Sequence, residues 1–457
     1  MNETPTQSPV SRLHESVLLK LFLVVVLALL LLIPSNAIQS LIRERQERQA
    51  TVINEISGSW AGAQLVGGPV LAVPYRYVEK EETKTADSLK MTQKEGMLYV
   101  MPEKLNVTGK LSAEKRERGI FESVVYRSGI NVSGNFDPGD VRHPDINPAD
   151  LKWDKARVII GLADIKGLKN YPVIRFGAGK HVAEPDYETQ LFQKSLSVLP
   201  GLTDSPTGKV DFEFDLQLNG SQNLSFLHLG KTTTVKLEGD WGTPKFEGRY
   251  LPDKQHTTAN SFQGEWKLIG YNRICPQQWK GNRYRFALPA PALPDTDMKT
   301  ESDDAVFGVS LLLPVDQYQK TMRTSKYAIL IILLTFLSLF FTELIRKHRI
   351  HLLHYILVGA AMTIYYVLLL SFAEKTGFNW AYLIASSATI ILVSSFVASL
   401  IRKRDISFLY TGILSTFYGF IYVIIQLEDF ALMVGSIGLF VIVALLMYFA
   451  RKTELGW

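Results

Sequence analysis

The sequence predicts a membrane α-helical protein, one N-terminal span plus a five-helix C-terminal bundle, carrying a large, mainly antiparallel β domain outside the cytoplasm. Three observations predict it: six apolar runs of spanning length, their uneven placement along the chain, and a polar middle segment that alternates with a period of two. A helix in lipid satisfies its own backbone hydrogen bonds and needs about 20 mostly apolar residues to cross. The first run covers roughly Val17 to Ile38. The others crowd the C-terminus at roughly Tyr327 to Leu344, Leu352 to Phe372, Trp380 to Ile401, Ile406 to Gln426 and Phe430 to Phe449.

The chain has 457 residues, 47% hydrophobic and 20% charged, an average over two very different regions. Its formal charge of +5 is small and no long Lys/Arg block occurs, which argues against a nucleic-acid binder. Cys275 is the single cysteine, so an intrachain disulfide, an iron-sulfur cluster and a multi-cysteine zinc site are excluded.

Orientation follows from the short C-terminal loops, because basic side chains near span ends are retained in the cytoplasm. Arg346, Lys347, Arg349, Arg402, Lys403, Arg404, Arg451 and Lys452 fall on one side, against Lys375 on the other, beside Glu374, Glu428 and Asp429. The expectation is therefore that both termini are cytoplasmic and that residues about 43–325 are periplasmic. Arg43, Arg45 and Arg48 follow the first span on its outer side and object to this. Long translocated segments are largely exempt from the charge rule, so the short loops decide. The first span reads as an uncut anchor. A cleaved signal peptide is the alternative, since Pro34 precedes the small-x-small site Ser35-Asn36-Ala37. Three domains result: 1–42, a short tail and the first span; 43–325, the β-rich domain with an N-terminal helical stalk; and 326–457, the bundle.

Within the exported domain, Ile42, Gln46, Gln49, Val52, Ile53, Ile56 and Trp60 approximate helical spacing and predict the stalk. The period then changes to two. Val210 to Leu218 alternates without a fault, Asn219-Gly220 supplies a turn signal and Leu224 to Phe226 resumes, which predicts a half-buried β-hairpin. Leu105/Val107, Thr233/Val235/Leu237 and Phe307/Val309/Leu311/Leu313 alternate in the same way, while Val70 to Val73 and Val158 to Ile160 read as buried strands. Five of the seven tryptophans (Trp60, Trp153, Trp241, Trp266, Trp279) fall here and are expected to anchor the core.

Chemistry is hard to find. Phosphate-loop, nucleophile-elbow and His-Glu-x-x-His patterns are absent. Asp137, Asp140, His143 and Asp145 have the ligand types for a divalent ion, but Pro138 and Gly139 make a solvated turn the better reading. His351 and His354 share a helix face and read as interfacial anchors or headgroup contacts rather than metal ligands. Cys275 has no resolving cysteine and reads as inert. Glu343 is expected to pair locally with Arg346, and Glu374, Glu428 and Asp429 lie at outer span ends, so a proton-coupled transporter is disfavoured. Gly359, Gly412, Ser415, Gly419, Gly435 and Gly438 suggest close helix packing. No catalytic, cofactor-binding or metal-ligating residue is assigned, and no cofactor is expected.

Local patterns nevertheless fall into a familiar order. Trp60-x-x-x-Gln64, Gly68-Pro69-Val-Leu71, Val73-Pro74-Tyr75, Arg116-x-Arg118-Gly119-Ile120-Phe121 and Tyr126 are followed by Trp153, Gly161 to Asp164, Asn219 to Ser221, Trp241 to Gly248, Phe307 to Val309 and Pro314 to Tyr318. Ile350-His351, Tyr355 to Gly359, Leu369 to Glu374, and Glu428 to Leu432 with Gly435 continue the series. This ordered set, from Trp60 to the C-terminus, resembles the CreD family of inner-membrane, cell-envelope integrity proteins. The family pattern has Gln where His354 stands and His where Lys375 stands, which weakens any role resting on those two side chains. The resemblance implies a cell inner membrane, a stress or β-lactam response and tolerance of certain toxins; it supplies no catalytic residue.

The functional expectation is a multi-pass inner-membrane protein supporting envelope integrity, binding or scaffolding a periplasmic protein or envelope polymer, with membrane lipids around its spans. A lipid or small-molecule permease or flippase subunit built on the bundle is the alternative. An envelope enzyme resting on Arg118, Asp164 and Asp316 is a third, and strands and turns explain those residues equally well.

Overall fold

The computed structural model describes residues 17–81, 90–138, 145–189, 191–204, 206, 208–286, 305–311, 317–346, 350–401, 404–427, 430, 433–438, 440, 441, 444 and 447. The chain divides into two compact units, Thr51–Pro314 and Met1–Ala50 with Val315–Trp457.

The helical unit begins with α1 (Val17–Leu30) and the first part of α2 (Leu32–Trp60), a helix that contains the boundary between the units. It resumes with α3 (Gln317–Lys326), α4 (Ala328–Arg346), α5 (Leu352–Thr376), α6 (Phe378–Ile401) and α7 (Arg404–Gln426). Among the described residues, three helices are individually long and apolar enough to cross a membrane, within Lys20–Trp60, Leu352–Thr376 and Phe378–Leu400. The pair α3 and α4, bent by 42° at its break, makes a fourth candidate, and Tyr410–Gln426 is a shorter apolar helix. Within the expected last span, 430–449, residues 431, 432, 439, 442, 443, 445, 446, 448 and 449 lie outside the described residues. Local signals set the ends of α5. His351 caps its start by accepting the N–H of Leu353 at 3.3 Å. Gly377, at φ +82°, ends it in the left-handed region that glycine enters without cost. Of the small residues expected to permit close approach, Gly359 faces Leu31 and Phe336. Among the described residues nothing lies within 4 Å of a Cβ placed at Gly412, Gly419 or Gly435.

The β unit holds seventeen strands among its described residues: β1 (Gln64–Glu81), β2 (Lys90–Val100), β3 (Lys104–Arg118), β4 (Phe121–Phe136), β5 (Arg157–Leu162), β6 (Val173–Phe176), β7 (Gly179–Val182), β8 (Glu184–Asp186), β9 (Lys194–Val198), β10 (Val210–Ser221), β11 (Asn223–Leu227), β12 (Thr232–Gly239), β13 (Pro244–Gly248), β14 (Lys254–Thr257), β15 (Phe262–Ile269), β16 (Gln278–Lys280) and β17 (Val306–Leu311). One sheet runs β13-β17-β11-β1-β5-β9-β8, with β2 paired to β1 and β16 to β2. The other runs β14-β15-β12-β3-β4-β10-β6-β7. Both are mixed. Most ladders are antiparallel, but β1 pairs parallel with β11 and β3 parallel with β12.

The sheets pack face to face through one core. Leu71, Val73, Phe226 and Phe307 come from the first sheet, and Val107, Val132, Phe212 and Trp266 from the second. Alternation explains the choice of face. On β3, Leu105, Val107 and Leu111 point inward and Lys104, Asn106, Thr108 and Lys110 outward. Each fully buried large apolar side chain contributes about 1.5–3 kcal/mol. Trp153, Trp266 and Trp279 are buried, as expected of core anchors; Trp60 and Trp241 are half-buried.

The expected hairpin at Asn219-Gly220 is not formed. β10 continues through both residues to Ser221, where it still pairs with β4, and the chain turns only at Gln222 (φ 64°). β11 then joins the other sheet, between β1 and β17. The reason is burial. A Cβ on Gly220 would strike the Tyr126 ring and hydroxyl, and the Asn219 carbonyl is engaged by Gln64, so the residues that read as a surface turn are packed inside.

Candidate functional site

The residues that looked scattered in sequence converge where α2 ends and β1 begins. Gln64, the first residue of β1, is fully buried and spends its whole amide there. Its Nε2 donates to the carbonyls of Asp164 and Asn219, each at 3.0 Å, and its Oε1 accepts the N–H of Asp164 at 3.3 Å. Asp164 caps a single 3-10 turn (Ile165–Gly167). Its carboxylate accepts the N–H groups of Gly62 and Lys166 and the Lys194 ammonium, all at 3.2 Å. Burial alone pushes the Asp164 carboxyl upward, but these backbone and ammonium donors outweigh it and hold the pKa below the ordinary aspartate value.

Further contacts tie the end of α2 to the sheets. Ser221 Oγ donates to the Ala61 carbonyl at 2.8 Å, and its N–H to the Gly62 carbonyl at 3.2 Å. Two guanidinium groups lie against Trp60, with Arg116 Cζ 4.9 Å and Arg127 Cζ 5.6 Å from its ring, while its Nε1 donates to the Tyr126 carbonyl at 3.4 Å. Arg118 Nη1 reaches Glu55 Oε2 on α2 at 2.9 Å. Tyr126 donates its hydroxyl to the Asn223 carbonyl at 2.7 Å, and burial raises its pKa well above the ordinary phenol value. In this collar, two cation-π contacts of about 0.5–1 kcal/mol each and several hydrogen bonds hold the end of α2 against the sheets. The collar's polar groups are committed to one another, which suits positioning.

The structure assigns the remaining sequence candidates separately. Arg118 and Asp164 belong to the collar but to different contacts within it; Asp316 lies outside the described residues. Asp140 and His143 also lie outside them, and Asp145 is engaged with Lys280 at 2.5 Å. Among the described residues no cluster of three or more His, Cys, Asp or Glu could hold a metal ion. His351 is a helix cap, and His354 Nδ1 sits 3.1 Å from the His351 carbonyl with its ring against Phe396. Cys275 is 4% exposed, and burial pushes its thiol up to about 11. The expected local partner of Glu343, Arg346, has its side chain outside the described residues; Glu343 pairs with Lys20 of α1 and also accepts the Tyr355 hydroxyl at 3.2 Å. Glu374 accepts the Tyr318 hydroxyl at 3.1 Å and lies 3.9 Å from Arg45. No local pattern announces these pairs, because their members are far apart in the chain.

A family model described as "Inner membrane protein CreD" matches residues 16–456. The chain belongs to the CreD family. It is also 30% identical over 432 residues to the inner membrane protein CreD of Escherichia coli (strain K12), covering 93% of this chain and 91% of the relative. Family membership and the apolar helices together make this a membrane protein. Trp60, Gln64, Arg116, Arg118, Tyr126, Asp164 and Ser221, all quoted for the resemblance, meet in the one collar.

Proposed function

We propose that the protein is a six-span inner-membrane protein with both termini in the cytoplasm, holding its β unit in the periplasm and supporting envelope integrity and stress tolerance by binding or scaffolding. The observation that carries this reading is the chain order: a β unit at 51–314 is flanked before and after by apolar helices, so it is tethered at both ends. The basic residues of the short C-terminal loops support the orientation. A tethered domain is suited to meeting an envelope protein or polymer without leaving the membrane, while lipids surround the helices. Photocrosslinking in intact cells, from a photoreactive residue at exposed Tyr187 or Tyr271, tests it. Adducts with another envelope component are expected; adducts with the protein alone count against the reading. A phosphatase fused after Tyr187 is expected to be active, as periplasmic export requires.

A second reading, a lipid or small-molecule permease or flippase subunit, draws on the helical unit. Tyr365, Tyr366, Tyr382 and Tyr418 of α5, α6 and α7 are buried together, with Tyr365 5.0 Å from Tyr418 and 4.8 Å from Tyr366. Clustered hydroxyls in a membrane bundle favour a polar path. Lipid-exchange assays in reconstituted vesicles discriminate: flux above empty vesicles supports this reading and its absence removes it.

A further inference from the structure

The outer face of the first sheet, turned away from the shared core, carries a concave cleft of about 780 Å³. Strand register accounts for its floor. Ala72 stands opposite Tyr99, Pro74 opposite Met97, and Arg157 of β5 opposite Ala72, so these side chains project from one face while their neighbours Leu71, Val73, Leu98 and Val158 enter the core. The Tyr99 ring is fixed by stacking on Trp279 at 5.3 Å. The rim is charged and carries both signs: Glu95, already paired with Lys152, and Glu188 are acidic, Lys155 and Arg157 basic. Arg157 Nη2 meets Glu188 at 2.7 Å, but the Glu188 side chain is 76% exposed, so an incoming carboxylate can take its place. Buried Asp186 stands 3.9 Å behind Arg157 and keeps the guanidinium at the cleft.

We propose that this cleft binds a short peptide segment bearing both a carboxylate and an ammonium group; the inference rests on the binding reading above and names its ligand class. The carboxylate pairs with Arg157 and Lys155, the ammonium with Glu188 and, in exchange for Lys152, with half-exposed Glu95, and a small aliphatic side chain lies on Met97. Tyr75, Tyr77, Tyr99, Thr189 and Asn282 add neutral polar groups to the lining, so a neutral sugar oligomer is the competing occupant that the test has to exclude.

Calorimetric titration of the full-length protein in detergent micelles with the free-ended tetrapeptide Ala-Glu-Lys-Ala tests the proposal. Saturable binding is expected, at least about tenfold tighter than for acetylated, amidated Ala-Gln-Gln-Ala or for a neutral chitin trisaccharide. Arg157→Gln, which removes the cationic fork, and Leu199→Trp, which fills the cleft from an exposed rim position without touching an ion pair, should each weaken binding about tenfold. Equal affinity for the uncharged peptide, a preference for the sugar, absence of binding, or indifference to both substitutions in folded protein would overturn it. If cellular crosslinks recover a partner while the tetrapeptide fails to bind, the ligand assignment falls and the binding reading stands.

Discussion

The side-chain amide of Gln64 donates to the carbonyl of Asn219, 155 positions later in the chain, at 3.0 Å in a fully buried setting. One side chain thereby joins the first residue of β1 to the end of β10 and, through Asp164, to the turn that follows β5.

Gln64→Ala should cost about 2–4 kcal/mol, because it removes the buried bond to the Asn219 carbonyl and two part-buried bonds to Asp164, whose carbonyl keeps the Gly167 N–H as a partner. Gln64→Glu should be worse, since its carboxylate faces the same carbonyls with no proton to donate. Tryptophan fluorescence during thermal unfolding checks the order wild type, alanine, glutamate.

Lys20 and Glu343 form an ion pair that links α1 to α4, and the Glu343 side chain is only 13% exposed. Glu343→Ala or Lys20→Ala alone should reduce thermal stability in detergent by less than the roughly 3–5 kcal/mol typical of breaking a fully buried pair, because Lys20 keeps some solvent. The charge-swapped pair Lys20→Glu with Glu343→Lys should recover part of the loss. A swap no better than the worse single variant would show that the pairing itself contributes nothing.

His228 is buried between Thr233 Oγ1 and the Ile269 carbonyl, each 3.0 Å from a ring nitrogen. Burial lowers its pKa, the Ile269 bond works the other way, and Arg273 adds to the lowering. The unfolded chain, titrating near the ordinary value of about 6.5, therefore takes up its proton first as pH falls. The stability from neutral His228 is complete above that value and is lost as pH falls toward the folded pKa. Melting temperatures between about pH 7.5 and pH 5 should show this slope, and His228→Gln should flatten it.

Cys275, buried and with its thiol raised to about 11, should resist maleimide in the native protein at neutral pH and react promptly once denatured. Mass spectrometry of alkylated protein before and after denaturant reads the difference.

Period-two alternation made β3, β12 and the first part of β10 legible, because one face of each is buried and the other is wetter. Pairing was not legible. Gln64 is in register with Leu224 and Lys104 with Thr232, parallel neighbours whose separation leaves no local mark. Asn219-Gly220 misled for a related reason: the dipeptide is a strong turn signal on a solvated ribbon, and only the Tyr126 hydroxyl packed over Gly220 overrides it. The collar was visible as separate motif residues, while its unity depends on contacts between α2, β3, β4, β10 and the turn after β5. The partners of Glu343 and Glu374 were hidden in the same way.

The crossing at Gln222 has a consequence for how the chain is made. β1 emerges from the ribosome early, but its parallel neighbour β11 begins at Asn223, and β11 in turn leans on β17, which ends at Leu311. The second sheet is complete once β15 ends at Ile269, but the first cannot close until β17 is made, so nascent chains must wait, with β11 unpaired on that side, until nearly the whole unit has been synthesised. Stop codons placed shortly before Val306 should therefore yield aggregates or degraded protein rather than a smaller stable domain.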